Sequence, residues 1–367
     1  MKSGIFFNIP VCFKVTPLYT ILLPHFMMMK RKKMNKLLSL LAVCLAIVPL
    51  SACKQEVSEK PAAKQEKAAS VVIRPELNWD TPKLTSNVWK ISKSGQPDSY
   101  LVGTIHIGKP NATLSKDAKN LLASAEQLVT EADMLPQLND EEMAKYQEFM
   151  QKIYSQDSLK SKLGDKNFEL LQQDFMKSPE LAQMAPYIDH MHPWAVLLFA
   201  LSIYPPEYSN QTGVDILLSK AAQESGKTRL ALEDVMDFSQ IFASQPEKLM
   251  IKMLTLRTNE EYAERETKRL FNAYEKGKFE DLPLVQTEFE KEFAQKYPDT
   301  IPALSWVRSD LLIKRNQNWL PKIKEISAKK KTVFAVGIMH LMSEQGLIEK
   351  LRKEGYQVTP EPSILMW

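Results

Sequence analysis

Residues 100–106 read YLVGTIH and residues 332–340 read TVFAVGIMH. These two stretches decide the fold. Each is an apolar, β-branched run, then Gly-x-x-His, and after it a helix is expected to start. The runs suit strands buried on both faces. Gly103 and Gly337 stand where the chain has to turn closely, and His106 and His340 fall just past the strand ends. Ligands of open α/β sheets bind outside the carboxyl ends of the strands. Two imidazoles from opposite ends of the sequence are therefore expected at one site. The chain has only five histidines, the others being His25, His190 and His192.

Working outward, residues 88–92 and 99–104 flank the turn SGQPD and read as a hairpin. Ser115 caps a helix over residues 116–126. A short strand at 128–130 ends in Glu131, and another at 229–232 ends in Glu233. Residues 139–205, 238–297 and 311–326 carry helical patterning. Gly213-Val214-Asp215 opens a further helix, and Asp215 is either a further site acid or, the favoured reading, a helix N-terminal charge. The C-terminal part closes with a strand at 332–336, a helix at 343–354, Gly355 as its cap, and a strand at 356–359. The expected fold is α/β: a central sheet from the N- and C-terminal segments, flanked by helices, with a long helical insertion.

The first residues read as an export signal. A basic stretch at 30–36 precedes an apolar run at 37–48 that is too short to span a bilayer. Leu50-Ser51-Ala52-Cys53 follows and resembles the lipobox of bacterial lipoproteins, in which the Cys is acylated. Residues 1–53 form the signal, with Met34 the more usual start. Residues 54–84 read as a tether and 85–367 as the folded domain. Cys53 would hold the protein to the membrane of a bacterial cell envelope. Lys54 after it favours the outer membrane, facing the periplasm. Residues 1–53 carry seven Lys and Arg and no acid, so a net charge of +4 becomes about −3 beyond them. No basic patch argues for nucleic acid. Cys12 and Cys44 lie in the signal, so no disulfide, thiolate metal site or Cys nucleophile is expected in the domain.

His106, His340 and Glu131 lead the candidates. Each imidazole either binds a metal or acts as a base, and Glu131 either joins them or orients them. Two His and one carboxylate leave open positions on Zn, Mn, Co or Fe. Asp133 is the lesser alternative to Glu131. Glu233 is either a site acid or, with Asp234, a helix cap. The Arg315 guanidinium either clamps a substrate or forms an interhelical salt bridge. Trp319 reads as core. His190 and His192, with Pro193 behind them, read as a capping segment. HExxH, GxSxG, Walker and GxGxxG motifs are absent.

WKISKSGQPDSYLVGTIHIG (89–108), LVTEAD (128–133), GVDILL (213–218) with LALED (230–234), IKRNQNWL (313–320) and VFAVGIMHLMSEQGLIEKLRKEGYQV (333–358) together resemble the TraB/GumN family over about 270 residues. That family is related to the Tiki metalloproteases and, remotely, to erythromycin esterases and haem-binding ChaN-like lipoproteins. The resemblance implies an α/β fold and a hydrolase site made by both GxxH histidines with a Glu. It also supports Glu233 and Asn316. The substrate would be a peptide or small molecule. A non-catalytic lipoprotein binding haem, a metal or a small ligand is the alternative.

Overall fold

The computed structural model describes residues 76–367 except 138, 179–180 and 258–259. Cys53, the signal and most of the tether lie outside the described residues. Six strands form one mixed sheet: β1 (Val88–Ser92), β2 (Ser99–Thr104), β3 (Gln127–Thr130), β4 (Thr228–Ala231), β5 (Thr332–Gly337) and β6 (Gln357–Pro360). Their order is β4-β3-β5-β2-β1-β6. β4, β3, β5 and β2 run parallel, and β1 pairs antiparallel with β2 and β6. Every residue of β3 and β5 is buried, as apolar runs covered on both faces require. The two GxxH strands, β2 and β5, are neighbours in register, Gly103 beside Val336 and Thr104 beside Gly337.

Helix α1 (Lys116–Ala123) connects β2 to β3, its first turn capped by the Ser115 hydroxyl. Five helices lie between β3 and β4: α2 (Asp140–Lys152), α3 (Leu159–Leu163), α4 (Asp165–Lys177), α5 (Pro193–Ala200) and α6 (Val214–Glu224). After β4 come α7 (Val235–Ala243), α8 (Glu247–Arg257), α9 (Glu260–Glu275), α10 (Asp281–Lys296) and α11 (Ile301–Trp306). A π-helical segment, Val307–Ile313, joins α11 to α12 (Lys314–Ser327), and α13 (Leu347–Lys353) precedes β6.

Two apolar cores result. One surrounds the sheet and contains Val102, Val129, Phe334, Val336, Trp319 and Leu347. The other lies among the inserted helices and contains Phe168, Phe199, Phe242, Leu254 and Phe293. The insertion thus carries its own core, each such side chain contributing about 1.5–3 kcal/mol of burial free energy. No helix among the described residues is long and apolar enough to cross a membrane.

The sheet matches the expected α/β layout, with β4 supplied from the middle of the chain. Two expectations need correction. Trp79 and Leu84, inside the stretch read as tether, are buried. The Trp79 indole N–H donates to Glu290 (2.9 Å), and the Asn78 amide donates to Glu344 (3.0 Å). An indole this large is worth burying, so the folded part starts before residue 85. The helix expected from residue 343 begins at Leu347. Ser343 adopts φ +71°, which no helix continues, and the chain turns too tightly at Gly346 for a Cβ.

Candidate active site

The four parallel strands end on one side of the sheet, and four predicted residues follow those ends. Glu131 comes directly after β3. Glu233 comes two residues after β4, and its amide donates to the Glu131 carbonyl (2.8 Å), prolonging the ladder. His106 comes two residues after β2. His340 ends a 3₁₀ turn, Ile338–His340, that follows β5. Arg315, from the start of α12, reaches the same place. His106, Glu131, Arg315 and His340 are each about 1% exposed.

Arg315 binds this group together. Its Nε donates to both Glu233 oxygens (3.1 and 3.2 Å). Its Nη2 donates to Glu131 Oε2 (2.7 Å) and Glu233 Oε1 (2.6 Å). Its Nη1 donates to the Leu311 carbonyl of the π segment (3.1 Å) and lies 3.2 Å from His340 Nε2. The guanidinium also stacks over the Trp319 and Phe238 rings, 4.4 and 5.1 Å from their centres. A guanidinium has five N–H donors, and all five are engaged inside the protein. Arg315 thus has no donor left to clamp a substrate. It forms an interior ion pair from α12 to the strand ends, rather than the interhelical salt bridge that was the second role read for it.

Hydrogen-bond partners assign the histidine tautomers. The Asn316 amide nitrogen donates to the carbonyls of His340 (3.3 Å) and Gln345 (3.1 Å), so its oxygen is the acceptor 2.7 Å from His340 Nδ1. His340 carries its proton on Nδ1, and Nε2 accepts from Arg315. His106 Nδ1 lies 2.5 Å from Asp215 Oδ2. Its Nε2 is buried with no partner, as are Asp215 Oδ1 and Thr104 Oγ1.

The two imidazoles are driven apart electrostatically. Burial pulls His106 down, but the charge and hydrogen bond of Asp215 outweigh it, and the pKa is held above the ordinary histidine value. His340 is held well below that value by burial, by the Arg315 charge and by His106. Burial, with Glu131 nearby, raises Glu233 despite Arg315 and the Trp319 N–H. Burial opposes the charge on Arg315, but the two carboxylates more than restore it. Such a divergence of two titratable groups marks acid–base sites.

Asp215 was read as a helix N-terminal charge, and the structure gives it a further role. It lies in the first turn of α6 and is 1% exposed. Helix α6 is pinned against the β2 end by Val214 N–H donating to the Ile105 carbonyl (2.9 Å). A Cβ on Gly213 would lie 2.5 Å from the His106 carbonyl carbon and oxygen, so only glycine allows this approach. Trp319 is buried as expected, but its indole N–H also donates to Glu233 (3.1 Å).

The remaining candidates fall elsewhere. Asp133 pairs with Arg229 (2.7 Å), and Asp234 caps α7 through the Met236 amide (2.7 Å). His190 ends a 3₁₀ turn, and His192 is the N-cap residue of α5, among the inserted helices. Thr104 was not singled out in the sequence. Its place between Gly103 and His106 was the one available signal.

Among the described residues, no group of three or more His, Cys, Asp or Glu is arranged to hold a metal ion. The donors expected for one are engaged otherwise. His340 Nε2 and Glu131 Oε2 face Arg315, and Glu131 Oε1 accepts from the Gly337 amide (2.6 Å). A divalent ion on His106, Glu131 and His340 does not fit this arrangement unless Arg315 is displaced.

A model of the TraB/PrgY/gumN family matches residues 87–360. No curated protein and no solved structure matches the chain.

Proposed function

The chain belongs to the TraB/PrgY/gumN family, and from that premise we propose that it is a hydrolase of peptide or ester bonds whose general base is His106. One observation carries the reading. Asp215 holds His106 Nδ1–H and leaves Nε2 buried and unpartnered, the state of a base awaiting a water or substrate. A water at Nε2 adds its oxygen to the substrate carbonyl carbon and gives its proton to Nε2. The imidazolium is stabilised by the Asp215 carboxylate. It then passes that proton to the leaving amine or alkoxide as the acyl bond breaks. A carboxylic acid and an amine or alcohol leave, and His106 is neutral again. Glu131, Arg315, Glu233, Asn316 and His340 fix the strand ends around this step.

His106→Gln and Asp215→Asn, assayed on a fluorogenic peptide and ester panel, test the reading. Both are expected to lose turnover while keeping the wild-type melting temperature within a few degrees. Full turnover in His106→Gln would overturn it. The metal-dependent form of the activity requires Arg315 to release His340 and Glu131. Metal content of loaded wild type against His340→Ala is its check. Full burial of the site also suits retention of a ligand without turnover, and a haem titration by absorbance separates that second reading from catalysis. The lipid on Cys53 remains part of the proposal. It would hold this domain at the bacterial envelope.

A further inference from the structure

Residues 361–367 run on from β6 without regular structure, yet they are tied down along their length. The Glu361 amide donates to the Val88 carbonyl (2.9 Å). The fully buried Asn87 side chain accepts from the Ile364 amide (3.0 Å) and donates to the Ile364 carbonyl (2.9 Å). The Ser115 hydroxyl donates to the Leu365 carbonyl (2.6 Å), and its amide donates to the Met366 carbonyl (2.9 Å). These bonds deliver the half-buried Trp367 to one place. Its indole N–H donates to the Thr212 carbonyl (3.1 Å), and its ring packs on Phe271 and Tyr274 of α9, each 5.7 Å between centres.

Both partners of this indole lead to the His106–Asp215 pair. Thr212 ends a 3₁₀ turn, Asn210–Thr212, directly before Gly213-Val214-Asp215. Backbone bonds within that turn are long: Thr212 N–H to Ser209 (3.4 Å) and Gly213 N–H to Asn210 (3.5 Å). Contacts from outside hold it instead. Gly108 and Ser209 exchange both backbone bonds (2.9 and 2.8 Å), and a Cβ on Gly108 would lie 2.2 Å from the Thr212 carbonyl oxygen. Trp367 satisfies that same carbonyl. Tyr274, the other partner, donates its hydroxyl to the Gly103 carbonyl (2.7 Å) at the end of β2. One indole is therefore bonded to the turn that carries Asp215 and packed on the ring that holds the strand carrying His106.

We propose that Trp367 is a positioning residue of the active site. Through its N–H and its ring it fixes the Thr212 turn against the β2 end, and so sets Asp215 at bonding distance from His106 Nδ1. It acts through Thr212 and Tyr274, not on the substrate. Its effect on turnover rests on the hydrolase reading, whereas its effect on the Asp215–His106 bond does not.

The test uses the full chain with Trp367→Phe, which keeps a ring and removes the N–H, and Trp367→Ala, which removes both. Trp89→Phe is the matched control, because the buried Trp89 indole also donates to a backbone carbonyl, that of Ser86 (2.8 Å). The first readout is the His106 ring N–H proton in protein labelled with 15N-histidine, identified as the NMR signal that His106→Gln removes. Its exchange with water is expected to quicken about tenfold in Trp367→Phe, the weight of one lost hydrogen bond, and further in Trp367→Ala. Trp89→Phe should leave it unchanged. The second readout is kcat and KM on the ester and peptide panel. A displacement of about 1 Å costs on the order of 100-fold, so kcat should fall by about that factor in Trp367→Ala and about tenfold in Trp367→Phe, with KM little changed. Wild-type exchange in both Trp367 variants would overturn the proposal. So would an equal effect of Trp89→Phe, which would reduce it to lost stability, or faster exchange at wild-type kcat. If wild type turns over no ester or peptide, the hydrolase reading fails and the exchange rates alone decide the positioning role. If Trp367→Ala does not fold, Trp367→Phe decides it.

Discussion

Arg315→Met separates an interior ion pair from a substrate clamp. The substitution keeps an unbranched apolar stem and removes the charge. It leaves Glu131, 1% exposed, and Glu233, whose side chain is 11% exposed, without their shared cation. Removing one partner of a buried ion pair costs about 3–5 kcal/mol, against a total stability of about 5–15 kcal/mol. In thermal unfolding followed by circular dichroism, the loss corresponds to a drop in Tm on the order of 10 °C. Glu233, which burial already raises against the pull of Arg315, then binds a proton more readily folded than unfolded. A raised folded pKa gives stability that is present at low pH and lost as pH rises through it. The deficit of Arg315→Met should therefore shrink as the pH falls toward 5. Adding Glu131→Gln and Glu233→Gln should recover most of the loss, since neutral amides do not need the cation. Melting of Arg315→Met within about 2 °C of wild type, with no pH dependence, would refute the interior ion pair. A raised KM at unchanged stability would make Arg315 a substrate clamp after all.

Asp215→Asn removes the charge that holds His106 above its ordinary pKa, so the base form persists to lower pH. The acid limb of the kcat/KM profile should move to lower pH, with turnover down about 100-fold or more as the tautomer is lost. Gly213→Ala forces a Cβ to within 2.5 Å of the His106 backbone. Denaturant unfolding should show a loss of about 1–3 kcal/mol, with turnover reduced because α6 and Asp215 shift together. Cys53→Ser should incorporate no labelled fatty acid and appear in the soluble fraction. Labelling equal to wild type would end the lipobox reading.

Much of the fold is legible in the sequence because its signals are local. The runs before His106 and His340, the Ser115 cap and the Gly355 cap at φ +79° depend on periodicity and single-residue conformational preference. Placing Glu131, Glu233, His106 and His340 at strand ends followed from the same signals, since parallel strands in one sheet share a carboxyl edge. Which atoms at that edge are engaged and which are free depends on contacts between residues far apart in the chain. Arg315 meets Glu131 across 184 residues and Glu233 across 82, and His106 meets Asp215 across 109. No periodicity encodes such distances. In the sequence Arg315 and Asp215 are thus an ambiguous cation and a plausible helix-end charge. Only packing shows one with every donor engaged and the other holding the imidazole whose second nitrogen is free. Trp367 was silent for the same reason. A tryptophan beyond the final strand is ordinary, and its indole matters only because the tertiary structure sets it between Thr212 and Tyr274.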